Sequence, residues 1–130
     1  ITFSVNKKVC STYKGFTVEP DQPVAEGGDN SAPEPFDLFL SAIGTCAGVY
    51  VVYFCEERDI DPSSIKLTLD INRDEEKHLV DEISIHISLP PEFPSKYKNA
   101  VKKVAEMCTV KRNILDPPQF TVTAEMAGKQ

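Results

Sequence analysis

The sequence contains no tryptophan and only two histidines among its 130 residues, and it has fewer basic than acidic residues. Fourteen lysines and arginines against 20 aspartates and glutamates give a net charge of −6. A protein that binds nucleic acid needs a basic stripe to neutralise phosphates, so no nucleic-acid partner is expected. The lysines at 96–103 and 111 have acidic neighbours, which indicates a solvated helix face.

Several common site motifs are missing as well. His78 and His86 do not stand at metal-ligand spacing from the cysteines, so no metal and no other cofactor is expected. The sequence shows no Ser-His-Asp arrangement and no glycine loop suited to phosphate, since Asp29 directly after Gly27-Gly28 would repel an anion.

The chain has four cysteines, which is too few and too widely spaced for a small secreted disulfide scaffold. Its first residues lack the basic-then-apolar layout of a signal peptide, and we therefore expect a cytoplasmic protein with reduced thiols. The length, the absence of repeats and a hydrophobic content of 41% predict one globular domain spanning residues 1–130.

Short strand-like runs at 3–5, 9–13 and 16–18 precede a loop rich in proline and glycine at 20–35. Residues 36–55 then form an apolar stretch whose only charge is Asp37. Such a stretch is long enough to span a bilayer. Its small and polar residues and the ordinary amphipathic flanks favour a central helix in a protein core, and no membrane is expected.

The second half of the chain alternates between strand and helix patterns. Apolar residues at every second position predict strands over 65–71 and 83–89. A helix is predicted from 94 or 95 to Cys108, with a further turn over 110–115 and a last strand over 120–126. The result is an α+β fold with a mostly antiparallel sheet around a long buried central helix. One sheet cannot cover that helix completely, which predicts an intimate homodimer.

Cys46 lies in the long apolar helix, and Cys108 lies on the buried stripe of the second helix. Two thiols that a fold brings together can pass oxidation from one to the other, which is the chemistry of a thiol peroxidase. Cys10 and Cys55 carry no comparable signal, and we expect them to be packing residues.

Three segments carry a family resemblance: the loop at 27–33, the helix at 35–46 with its Pro-x-x-Leu-x-x-x-x-x-Gly-x-Cys pattern, and Glu106-Met-Cys-Thr-Val110. Together with the order of strands, they make the chain resemble the OsmC/Ohr family of hydroperoxide-reducing thiol proteins. The resemblance implies an intertwined dimer with its active sites at the interface. It also implies that Cys46 attacks an organic hydroperoxide, that Cys108 resolves the sulfenic acid as a disulfide, and that a lipoyl or thioredoxin-type dithiol restores the pair.

The best-studied peroxidase branches of that family have an arginine in the N-terminal strands and a glutamate ten residues before the first cysteine. Here Phe36 occupies the second position and no arginine precedes Arg58. A thiolate at neutral pH needs a cation or a donor nearby, and Lys111 and Arg112 are the candidates that the sequence places near a thiol.

The sequence favours a Cys-based peroxidase of the oxidative stress response. Its predicted pocket for a bulky organic hydroperoxide has apolar walls formed by Phe36, Phe39, Leu40 and Ile43. The alternative is a non-catalytic dimer whose interface pocket binds a small hydrophobic or thiol-bearing ligand, or a dimer that senses oxidation. The pKa of Cys46 separates the two, because nucleophilic chemistry requires a thiolate.

Overall fold

The computed structural model describes residues 1–128, which form α-helices and antiparallel strands, and the predicted α+β class is confirmed. The strands make two sheets, one of three strands and one of two, in place of the single sheet expected. In chain order the elements are β1 (Thr2–Phe3), β2 (Val9–Tyr13), β3 (Phe16–Val18), α1 (Pro35–Glu56), β4 (Lys66–Asp74), β5 (Leu79–Ser88), α2 (Lys98–Glu106) and α3 (Thr109–Leu115).

The first three strands form a small antiparallel meander. The turn between β2 and β3 consists of Lys14 and Gly15, both with positive φ, as a two-residue hairpin turn of the primed type requires. Cys10 is the buried residue of these strands. Lys8 pairs with Asp29 at 3.6 Å, which ties the meander to the following loop.

Helix α1 begins with Pro35, a residue suited to the first helical position, and the Asp37 carboxylate accepts the Glu34 N–H at 3.1 Å. One stripe of the helix is buried, whereas residues such as Tyr53, 57% exposed, lie on an open face. By length and composition alone α1 could cross a membrane, but its stripe packs in a protein core like that of an amphipathic helix. The buried residues of the stripe are Ile43, Ala47, Val51, Phe54 and Cys55.

Strands β4 and β5 pair along their whole length, from Lys66 opposite Ser88 to Asp74 opposite Leu79. The predicted alternation is confirmed, because the isoleucines and leucines of one face are partly buried while the intervening polar residues are exposed. That apolar face packs against the cluster formed by α1 and α2. The hairpin thus forms one wall of the core.

The second helix ends earlier than predicted. Helix α2 stops at Glu106, and Cys108 is the N-cap residue of a separate helix, α3. Its backbone, with φ −53° and ψ 133°, is not helical. The stripe predicted at Tyr97, Val101, Val104 and Cys108 faces the core, since Val101 and Cys108 are each 1% exposed and Tyr97 and Val104 are partly buried against it.

The strand predicted over 120–126 is wrong for the single chain. Residues 116–128 form no helix or strand, and Phe120, Val122 and Met126 are at least 87% exposed. Alternating apolar residues become a strand only when a neighbouring strand satisfies their backbone groups, and this chain presents none to them.

The loop before α1 is organised by Asp21, a carboxylate with no solvent exposure. It accepts the Ser31 hydroxyl at 2.7 Å and the backbone N–H groups of Ser31 at 3.0 Å, Gln22 at 2.8 Å and Asp29 at 3.3 Å. The hydrogen bonds from Ser31, supported by those from Gln22 and Asp29, outweigh burial and lower the pKa of Asp21 to about 2.

Replacing Asp21 with asparagine is expected to reduce stability at neutral pH. A depressed folded-state pKa stabilises the fold above the unfolded value, near 3.8, and this contribution is lost as the pH falls towards about 2. In urea titrations the difference in unfolding free energy between the two proteins should therefore shrink between those pH values. A difference that stays constant over this range would contradict the assignment.

Candidate functional site

The fold brings Cys46 and Cys108 together, although they come from distant parts of the chain. Cys46 lies half-buried on α1, and Cys108 is 1% exposed at the start of α3. Cys108 lies near enough to Cys46 to affect its pKa, and both cysteines are free. The site is therefore a pair of neighbouring reduced thiols.

The pKa of Cys46 is lower than that of an ordinary cysteine. The largest cause is a hydrogen bond from the backbone N–H of Val110, and the Cys108 thiol and the Thr109 N–H add to it against the opposing effect of burial. Donors directed at a sulfur favour its anionic form. Cys46 is thus the thiol of the pair that loses its proton more readily.

Cys108 behaves in the opposite way. Burial raises its pKa, and the neighbouring Cys46 raises it further, although the Lys111 backbone N–H donates to its sulfur at 3.3 Å. The thiol also approaches the Ile43 carbonyl at 4.0 Å. Cys108 is therefore the thiol that keeps its proton while Cys46 gives its proton up.

Lys111 and Arg112 are placed differently from the way the sequence predicts a thiolate stabiliser. Lys111 reaches Cys108 through its backbone N–H, and its side chain lines a cavity. Within residues 1–128, neither cationic side chain donates a hydrogen bond to a thiol. Peptide N–H groups of the first turn of α3 therefore supply the local donors.

Tyr50 is a residue of the site that the sequence analysis missed. It lies one helical turn after Cys46 on α1, and its hydroxyl is 2.9 Å from the Thr109 hydroxyl. The i, i+4 spacing from Cys46 is the signal that could have revealed it, since residues four apart share a helix face. The backbone donors of Thr109 and Val110 have no such signal, because every residue except proline carries an N–H.

A cavity of about 220 Å³ lies between α1, β5, α2 and α3, and neither Cys46 nor Cys108 lines it. Its floor is apolar, and two lysines and a glutamate stand at its edge. Ile43 of the predicted pocket lines it. The other lining residues are Ile83, Ile85, Ile87, Lys102, Ala105, Glu106 and Lys111.

The other predicted pocket residues lie elsewhere in the single chain. Leu40 lines an open groove between α1 and the β4–β5 hairpin, with Gly44 and Gly48 among its other lining residues. Phe36 and Phe39 pack on each other near the start of α1, with ring centroids 5.4 Å apart, and both are more than a third exposed. The four residues do not line one cavity within the described chain.

Cys10 and Cys55 have surroundings of another kind. Burial raises the pKa of each thiol, and at Cys10 the Glu19 carboxylate, 3.5 Å away, raises it further. Both are therefore protonated at neutral pH and poorly suited to nucleophilic attack.

An α+β domain that brings two free cysteines of distant segments near each other defines a protein with a cysteine-pair site. Residues 28–123 match the model of the family described as OsmC-like protein, and the chain belongs to that family. Among proteins of curated function, none matches the chain.

Two solved structures are similar to the chain. One is provisionally described as an osmotic stress induced and detoxification response protein from Psychrobacter arcticus 273-4; it has 18% identity and a TM-score of 0.65 over 86% of this chain and 90% of the other. The second is an organic hydroperoxide resistance protein OsmC from Legionella pneumophila, with 15% identity and a TM-score of 0.48 over 86% and 91%. At these identities the likeness concerns the fold.

Proposed function

We propose that this protein reduces organic hydroperoxides through Cys46 and Cys108. The observation that carries the proposal is that the fold brings two free thiols near each other and shifts their pKa values in opposite directions. A nucleophile with a lowered pKa beside a protonated partner is the arrangement that thiol peroxidase chemistry needs. Family membership supports a redox role for the pair.

In the first step the Cys46 thiolate attacks the distal oxygen of the hydroperoxide. An S–O bond forms, the O–O bond breaks, and the alkoxide takes a proton to leave as the alcohol. Cys46 becomes a sulfenic acid and has supplied both electrons. The Val110 and Thr109 N–H groups favour this step because they keep Cys46 in its anionic form.

In the second step the Cys108 sulfur attacks the sulfenic acid. The Cys108 proton and the sulfenic hydroxyl leave as water, and a Cys46–Cys108 disulfide remains. A dithiol of the lipoyl or thioredoxin type then supplies two electrons and two protons to restore both thiols. The cytoplasm, where such reductants keep thiols reduced, is the compartment that this cycle requires.

A bulky apolar hydroperoxide is the substrate class that the surroundings favour. Ile43 lies one turn before Cys46 on α1 and lines the cavity together with three isoleucines of β5. An apolar floor with a few polar groups at its edge is the usual composition of a small-molecule site. Hydrogen peroxide has no apolar group to bury against such walls, so they would not increase its binding affinity.

We also propose that the protein is a homodimer. Large apolar side chains are exposed at both ends of the chain, in β1 and β3 and in residues 120–126, and an open groove runs along α1. Scattered apolar residues are normal on a surface, but concentrations of this kind favour an interface. A second copy could pair with the terminal segment and cover the exposed face of α1.

A second candidate function is non-catalytic, and the cavity favours it. Cys46 does not line this cavity of about 220 Å³, so a small hydrophobic or thiol-bearing ligand could bind there without involving the thiol. The cysteine pair would then act as a sensor of oxidation. In that case peroxide would form the disulfide without sustained turnover.

Intact-mass analysis after one equivalent of cumene hydroperoxide tests the proposal. The reduced wild-type protein should lose two hydrogens, and Cys108→Ser should gain one oxygen that a sulfenic-acid trap captures. Cys46→Ser should stay unmodified over the same time. If all three proteins remain reduced under excess peroxide, both the peroxidase and the sensing role are excluded, and ligand binding in the cavity is the candidate that remains.

A further inference from the structure

We propose that Tyr50 is a positioning residue for Cys46: its hydroxyl holds Thr109, and with it the first turn of α3, against the Cys46 sulfur. The inference rests on the site of the proposed function and names a residue that sets the state of its nucleophile. It follows from three contacts made by the start of α3, two of which join it to α1.

The first contact is the hydrogen bond between Tyr50 and Thr109, with 2.9 Å between the hydroxyl oxygens. Tyr50 is half-buried against the core, so its ring is held in place, whereas Thr109 is exposed. A threonine side chain has few χ1 rotamers. Fixing its hydroxyl therefore restricts the backbone of Thr109.

The second contact joins the N-cap of the same turn to α1 on the other side of Cys46. The Cys108 thiol lies 4.0 Å from the Ile43 carbonyl, so Ile43 and Tyr50, which flank Cys46 along α1, both contact the start of α3. Thr109 and Val110 are the first two residues of α3, and hydrogen bonding from their N–H groups lowers the pKa of Cys46. The first N–H groups of a helix have no partner within the helix and are free to bind a side chain. A tether at Thr109 keeps both of them directed at the sulfur.

The third contact is a cap on the same turn. Cys108 accepts the Lys111 N–H at 3.3 Å, which fixes the turn from the side opposite to Tyr50. A helix of seven residues gains little from its own hydrogen bonds, so such external contacts decide whether its first turn stays formed. The contact from Tyr50 comes from α1, the helix that carries Cys46.

Charged side chains do not account for the lowered pKa of Cys46. In the part of the chain that the structure describes, Cys108 is the one titratable side chain that affects Cys46, and the other resolved influences are backbone donors and burial. Glu57, Arg58 and Lys103 line the groove beside the Tyr50 ring without acting on Cys46. The protonation state of Cys46 thus depends on how firmly the first turn of α3 is held in place.

The test measures the pKa of Cys46 from the pH dependence of its alkylation by iodoacetamide, with tandem mass spectrometry separating it from the other cysteines. Tyr50→Phe should raise that pKa by about half a unit to one unit, the size of one hydrogen bond. Thr109→Val should raise it equally, and the double variant no further. Thr109→Ser, which keeps the hydroxyl, should retain the wild-type pKa.

Tyr53→Phe is the matched control, since Tyr53 is the neighbouring tyrosine, its ring 6.4 Å from that of Tyr50, and it is 57% exposed. It should leave the pKa unchanged. An unchanged pKa in Tyr50→Phe, or additive shifts in the double variant, would overturn the inference. Should Tyr50→Phe not fold, the comparison of Thr109→Val with Thr109→Ser at an exposed site decides it.

The alkylation assay uses no peroxide, so it is independent of turnover. A shifted pKa in a protein that reduces no hydroperoxide would leave the role of Tyr50 standing and overturn the proposed function. If the wild-type protein reduces hydroperoxide normally but the pKa of Cys46 is unshifted in Tyr50→Phe and Thr109→Val, the proposed function stands and the role of Tyr50 is overturned.

Discussion

Replacing Cys46 with serine is expected to slow the reduction of cumene hydroperoxide by at least about a thousandfold, because a serine hydroxyl at this position is not ionised and cannot form a sulfenic acid. Replacing Cys108 with serine should have a different effect. Its first turnover should remain fast, since the Val110 and Thr109 N–H groups still act on Cys46, and the reaction should then stall at one equivalent of peroxide.

Rapid-mixing measurements with dihydrolipoamide as reductant separate these outcomes, since a burst of one equivalent differs from both steady turnover and no reaction. Cys10→Ser is the control, because its thiol has a raised pKa and lies outside the pair. Equal losses in the Cys46 and Cys108 variants, with no burst in the latter, would contradict the roles assigned to the two thiols.

Replacing Gly28 with alanine is expected to cost about 3 kcal/mol of unfolding free energy. A Cβ atom at Gly28 would overlap the backbone of Gln22, which is no flexible side chain that could move aside. The Gln22 carbonyl also accepts the Asn30 N–H at 3.0 Å, so shifting it would break a second contact of the loop. Chemical denaturation followed by circular dichroism measures the loss.

Gly27→Ala is the control in the same loop. Gly27 has φ +87°, which costs alanine about 1 kcal/mol, but the nearest atom to its added Cβ is the flexible end of Lys7, at 3.4 Å. The Gly28 variant should therefore be clearly the less stable of the two. Equal losses would mean that the loop tolerates the overlap by moving as a whole.

The elements with their own periodicity could be predicted from the sequence, and those that depend on a neighbour could not. Helix α1 and the β4–β5 hairpin follow from local patterns that residues 35–89 carry by themselves. The alternation over 120–126 is equally clear, yet no strand forms, because pairing is a property of two segments. The break before α3 was also missed, because Cys108 fits the helical stripe and caps the next helix as well.

At the site, the sequence was sufficient to select Cys46 and Cys108 but not the groups around them. The sequence predicts a cationic thiolate stabiliser, Lys111 or Arg112, because charged residues can be identified from the sequence. The donors that act on Cys46 are backbone N–H groups, whose direction depends on where α3 begins. That start lies at the Cys108 cap, and its first residue is joined to Tyr50 of α1 by a tertiary hydrogen bond.

The N-cap role of Cys108 has a consequence for the oxidised protein. In the proposed cycle the disulfide takes the negative charge away from Cys46, so the peptide groups of Thr109 and Val110 lose the anion that they had been solvating. The sulfur of Cys108, engaged in a new bond, is also drawn away from Lys111. With these contacts weakened, the first turn of α3 is expected to open locally more easily than in the reduced protein, which would give a reductant access to the disulfide. Formation of the disulfide would in this way make its own reduction easier.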